Sequence, residues 1–161
     1  DGGQLARASI GQGEVRVTPL QMAMVASAIA NGGKQMTPYT VQTVRGADLD
    51  VVQQNEPSLL RTSVSPTVAS QLTSMMISVV EGGSGKAAKI DGVQVAGKTG
   101  TAEHQSGAAP HAWFTGFAPA DNPQVAVAVI VENGGDSGNE ATGGAVAAPI
   151  AKAVMEAVLN K

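Results

Sequence analysis

Three extended runs follow one another in the last half of the chain: Val93 to Glu103, His111 to Ala118 (HAWFTGFA) and Gln124 to Glu132. The turn Pro119-Ala120-Asp121-Asn122-Pro123 joins the last two, and its proline, aspartate and asparagine content fits a tight reversal. Consecutive strands with short connections can only pair antiparallel, because a parallel pair needs a crossover of a dozen residues or more. Such a meander must cover its apolar face, and the remaining sequence supplies amphipathic helices to do it.

Thr18-Pro19-Leu20-Gln21 has the capping-box form with proline at the first helical position, predicting a helix over 19–30. Met22, Val25, Ala26 and Ile29 form its apolar face, and Asn31-Gly32-Gly33 stops it. A strand is expected at Tyr39 to Val44, followed by polar irregular chain to Thr62. Ser65-Pro66 opens a second helix with Val68, Leu72, Met75, Met76 and Val79 as its stripe, ended by Gly82-Gly83. A last helix is expected from near Pro149 to Asn160, with Ile150, Val154 and Val158 at i, i+4 and i+8. The loop 133–144 between strand and helix is polar and glycine-rich. The fold class is α+β, an antiparallel sheet packed against helices, within one domain or a large piece of one.

Composition narrows the function classes. Aromatic residues make up only 2% of 161 residues against 43% hydrophobic overall, so the core must come from small aliphatics and methionine. The net charge of −3, with no basic cluster, argues against nucleic acid as the main partner. There is no cysteine, which excludes thiolate zinc sites and cysteine nucleophiles together. The longest apolar runs fall far short of the ~20 residues a membrane helix needs. The start at Asp1 rather than methionine reads as a cut chain.

Chemistry concentrates in VAGKTGTAEH, Val95 to His104. Alternation places Lys98 and Gly100 on one face of a strand and Thr99 and Thr101 on the other. Gly97 and Gly100 leave room for another chain to approach the backbone. One ammonium and two hydroxyls near a strand edge make an anion-binding rail. A carboxylate ~4 Å from Lys98 gains roughly 4 kcal/mol at an effective dielectric of about 20, before desolvation. An unpaired edge also offers backbone groups to an extended peptide. Spacing alone leaves a solvated lysine on an ordinary strand as the competing reading.

Other candidates are weaker. Gly82-Gly83-Ser84-Gly85-Lys86 departs from the phosphate-loop pattern, with Val80 and Ala87 where Gly and Ser/Thr are required. Glu103, His104 and His111 match no zinc spacing and are expected in the connection between strands, at the mouth of a cleft. Trp113 and Phe114 point to opposite faces, one into the core and the other beside the cleft or under a helix. Asp48, Asp50 and Glu56 read as a solvated loop.

Lys98-Thr99-Gly100-Thr101 resembles the third active-site motif of the penicillin-binding proteins and serine β-lactamases. GQGEVRVTPLQMAMVASAIANGG (11–33), HAWFTGFAP (111–119), VAVAVIVENG and GGAVAAPIAKAV extend the resemblance over nearly the whole chain. It is strongest to the class B enzymes of the actinobacterial penicillin-binding protein A type. The resemblance implies a D,D-transpeptidase that cross-links peptidoglycan through a serine acyl-enzyme on D-Ala-D-Ala stem peptides, needs no cofactor and is acylated by β-lactams. It also implies an anchored protein on the outer face of the bacterial cytoplasmic membrane. Lys98 would face the cleft and help hold the second-motif serine and the substrate's electrostatics, Thr99 and Thr101 would bind the terminal carboxylate, the Thr101 N–H would be an oxyanion donor, and Gly100 would let the scissile peptide lie against the strand. The family's Ser-x-x-Lys does not occur here, and its Ser-x-Asn occurs only as Ser137-Gly138-Asn139, after the strand instead of before it. The chain is therefore expected to be the C-terminal portion of a transpeptidase domain, inactive alone, completed by an N-terminal portion. A D,D-carboxypeptidase or endopeptidase, and a non-catalytic β-lactam sensor or peptidoglycan-binding module, are the alternatives.

Overall fold

A computed structural model describes residues 2–104 and 106–160. Its centre is a three-stranded antiparallel sheet of β5 (Ala96–Ala102), β6 (His111–Ala118) and β7 (Val125–Val131), in that order. The register runs from Ala96↔Phe117 to Ala102↔His111 on one side of β6 and from Ala112↔Val131 to Ala118↔Val125 on the other. β6 matches the sequence expectation in full. β5 begins three residues late, because Val93 bridges back to Ile90 instead of joining the ladder.

Helices cover both faces. On one lie α2 (Pro19–Ala30) and α3 (Pro66–Glu81), where Ala26, Met76, Ala96 and Phe117 form a buried cluster. On the other lies α4 (Ala148–Leu159), where Ala148, Ala151 and Met155 bury against Phe114, Ala118 and Val127. Phe114 and Phe117, three apart on one strand, thus anchor opposite layers. A short helix α1 (Gly2–Ser9), with no buried residue, precedes them and has no counterpart in the sequence reading.

The capping predictions hold in detail. The Thr18 hydroxyl accepts from the Gln21 N–H at 3.2 Å while the Gln21 side chain accepts from the Thr18 N–H at 2.8 Å. Ser65 caps α3 through the Val68 N–H, and Gly82 closes it.

Several sequence expectations are corrected. Tyr39 to Gln42 are not strand, and only Thr43 and Val44 of that span enter one, β2 (Thr43–Arg45). The supposedly irregular chain holds β3 (Val51–Gln54), paired with β2, and β4 (Leu59–Thr62), paired with β1 (Lys34–Met36). Residues on β3 and β4 are exposed throughout, so neither strand carries the apolar alternation that marks a half-buried one. Of the expected α3 stripe Met76 is buried and Leu72 and Val79 are half-buried, but Met75 and Val68 are exposed, and Ala69 and Val80 are buried with Met76. Val25 of α2 is likewise exposed. On α4 the expected stripe is inverted: Ile150, Val154 and Val158 are exposed, while alanines and Met155 face the sheet. The π-turn Gly143–Ala147 brings this helix in close to β5 and β6, and small side chains permit that approach. Most of the rest of the expected loop 133–144 falls in Glu132–Glu140, a run of 3₁₀ turns that takes in Glu132, expected as strand, and in which Asn133 adopts a left-handed φ of 51°.

Candidate active site

β5 is an edge strand, and its open side forms the floor of a groove of about 500 Å³. The opposite wall is the chain leaving α1, from Ile10 to Val17, with Met22 of α2. Lys98, Thr99, Gly100 and Thr101 all border this groove. A smaller hollow of about 340 Å³, at the C-terminal end of α2, presents no titratable side chain.

Cross-strand register fixes which way each residue faces. Lys98 stands opposite Thr115 and Gly100 opposite Trp113. The Thr115 hydroxyl lies 3.2 Å from the Met22 carbonyl, so Lys98 is on the α2 side of the sheet. Thr99 and Thr101 stand opposite Phe114 and Ala112, on the α4 side. A ligand along the open edge therefore meets an ammonium from one face and two hydroxyls from the other.

The Lys98 ammonium donates to the Thr99 carbonyl at 2.6 Å. An ammonium carries three donors, so two remain for a ligand. The ion pairs among the described residues are Lys89–Glu81 and Lys152–Glu156, so no carboxylate neutralises Lys98 there. The Thr99 hydroxyl lies 2.6 Å from that of Ser84, in the loop after α3. Thr101 presents its hydroxyl on an exposed residue, and its carbonyl accepts from Gln12 Nε2 at 3.3 Å. In an antiparallel strand the N–H and C=O of one residue point to the same side. The Gln12 contact therefore shows that the Thr101 N–H also faces the open edge.

Gly97 lies on this strand for a packing reason. A Cβ there would collide with the ring of Phe114, so the chain that approaches Gly97 is the molecule's own. Gly100 is similar: its Cβ would stand 3.2 Å from that of Trp113. Trp113 is the half-buried aromatic that borders the groove, and Phe114 is the core residue.

His104 and His111 both border the groove, stacked with ring centroids 4.0 Å apart and planes 8° apart. His111 is the first residue of β6, not part of the connection. Its Nδ1 accepts from the Asn133 N–H at 3.0 Å, and His104 Nε2 donates to the Ala109 carbonyl at 3.0 Å. The pair ties the end of the β5–β6 hairpin to the turn after β7. Glu103 and Glu132 line the same end, roughly 17 Å along β5 from Lys98 at 3.4 Å per residue, which polarises the groove. No group of three or more metal-ligating side chains occurs among the described residues. Ser137-Gly138-Asn139 lies in the turns after β7, away from the groove lining. Gln12, Arg16 and Ser84 were not singled out from sequence: their places beside β5 come from chain up to 89 residues away, which no local pattern reveals.

A family model described as the penicillin binding protein transpeptidase domain matches residues 3–156. The peptidoglycan D,D-transpeptidase PbpA of Mycolicibacterium smegmatis is 49% identical over the whole of this chain and 33% of its own length. The peptidoglycan D,D-transpeptidase MrdA of Acinetobacter baumannii is 34% identical over 86% of this chain and 23% of its own length. The structure of penicillin-binding protein A from M. tuberculosis as a ceftriaxone acyl-enzyme superposes with a TM-score of 0.94 at 49% identity, over 99% of this chain and 36% of that one. The chain thus spans about a third of the length of these relatives. A match over nearly all of its residues, with the lysine–threonine strand at a groove edge, settles its kinship: the chain belongs to the penicillin-binding protein transpeptidase family.

Proposed function

We propose that this chain is the C-terminal portion of a transpeptidase domain and supplies the carboxylate-binding, oxyanion-stabilising strand of a peptidoglycan D,D-transpeptidase. The observation that carries the reading is the open edge of β5, where an unneutralised Lys98 and the hydroxyls of Thr99 and Thr101 flank the outward-facing Thr101 N–H. The names of the relatives support the reaction class. The upstream portion of the domain would supply the nucleophilic serine, its lysine base and the second motif, and an N-terminal anchor would hold the protein on the outer face of the cytoplasmic membrane.

In this reaction the serine oxygen attacks the carbonyl carbon of the penultimate D-Ala. The C–N bond to the terminal D-Ala breaks, and that amine leaves with a proton. An amine from a neighbouring stem then attacks the ester carbonyl, the C–O bond to the serine breaks, and one of that amine's own protons passes to the serine oxygen. Lys98, Thr99 and Thr101 hold the terminal carboxylate, which fixes the scissile carbonyl along β5. The Thr101 N–H donates to the developing oxyanion, a contribution worth about 10²–10³ in rate where comparable donors are removed. A β-lactam presents the same carboxylate and strained carbonyl, so it acylates the same serine.

Labelling the complete protein with a fluorescent penicillin tests this reading. One covalent label per folded molecule, blocked by prior penicillin G, is expected. A folded complete protein that takes up no label contradicts it.

A further inference from the structure

Gly11-Gln12-Gly13 lies across the groove from β5. Both glycines adopt left-handed backbone, at φ 75° and 79°, where a side chain would be strained. That double turn sets the Gln12 carboxamide against the strand edge, where it donates to the Thr101 carbonyl. The neighbouring edge acceptor, the Thr99 carbonyl, is held by Lys98. The outward carbonyls of Thr99 and Thr101 are therefore each held by a side chain of the protein, while the Thr101 N–H beside them faces the groove.

We propose that Gln12 is a displaceable cap on the Thr101 carbonyl and sets which acyl donors the edge prefers. A ligand whose carbonyl oxygen reaches the Thr101 N–H lies beside the Thr101 oxygen as well. If that ligand carries an N–H on its acyl arm, it competes with Gln12 for the open side of that acceptor. A ligand without such an N–H leaves Gln12 in place. Gln12 is thus a specificity residue that resists amide-bearing donors until they bind well enough to displace it. Lys98 cannot play this part, since its charge is committed to the carboxylate of the ligand.

The inference rests on the acyl-transfer reading above. Its test is the second-order acylation rate of the complete protein by penicillin G, whose acylamino arm carries an N–H, and by imipenem, whose hydroxyethyl arm carries no N–H. Gln12→Ala is expected to raise the penicillin-to-imipenem rate ratio about threefold or more, the scale of one neutral hydrogen bond, with imipenem changed less than twofold. Gln12→Asn, with a shorter reach but the same amide, is expected to move the ratio in the same direction by less. A loss of packing alone would slow both lactams equally, so an unchanged or lowered ratio overturns the cap while leaving the acyl-transfer reading standing. Failure of the wild-type protein to react with either lactam overturns both. A ligand-free crystal structure of the complete protein with Gln12 Nε2 beyond 3.5 Å of the Thr101 oxygen also overturns it.

Discussion

Phe114 of β6 fills the space that a side chain on Gly97 of β5 would need, and Lys98 follows directly on that contact. The ring is fully buried, so it has no open side toward which to move. Gly97→Ala is therefore expected to destabilise the protein by about 1–3 kcal/mol through overpacking, read as a lower Tm. Gly97→Ala with Phe114→Leu is expected to recover part of the loss.

The two threonines are not equivalent. The Thr99 hydroxyl is shared with Ser84, whereas Thr101 presents its own. Thr101→Ala is expected to weaken carboxylate-bearing ligands about tenfold or more, the scale of a hydrogen bond to a charged group. Thr99→Ala should cost less, and Thr101→Ser should retain most of the affinity. Pre-steady-state acylation, which separates the binding constant from the chemical step, checks the order.

These residues also show what was legible in advance. Helix 19–30 and strand 111–118 were written in local chemistry: a threonine–proline–glutamine cap and an alternating apolar run. The short pairings Lys34↔Thr62 and Thr43↔Gln54 join polar stretches, and no periodicity announces them. The α4 stripe misled because its branched aliphatics lie outside: Ala148 and Ala151 let the helix come close to the sheet, with Met155 buried on the same face. Lys98, Thr99 and Thr101 were visible because their motif is contiguous. Gln12 and Ser84 were not, because their partners are distant in sequence.

Met155 and Val154 separate these two faces of α4. Met155 is fully buried against the sheet, and Val154 is exposed. Met155→Ala is expected to cost about 2–5 kcal/mol and Val154→Ala about 0.5 kcal/mol or less in the chain described here. Denaturant titration of both variants checks this, and equal losses would contradict the burial assignment.

Thr18→Ala removes one half of the capping box of α2, whose Met22 borders the groove. A loss of about 1 kcal/mol in stability is expected, with little change in ligand affinity. Thermal unfolding with and without a β-lactam distinguishes the two effects.

The acylation rate of the complete protein by penicillin G, compared between wild type and Lys98→Ala, tests the role of the β5 edge most directly. Loss of about 1.4 kcal/mol already gives tenfold, so a fall of tenfold or more is expected, with the fold intact by circular dichroism. An unchanged rate in the folded variant would show that the Lys98 ammonium takes no part in the reaction.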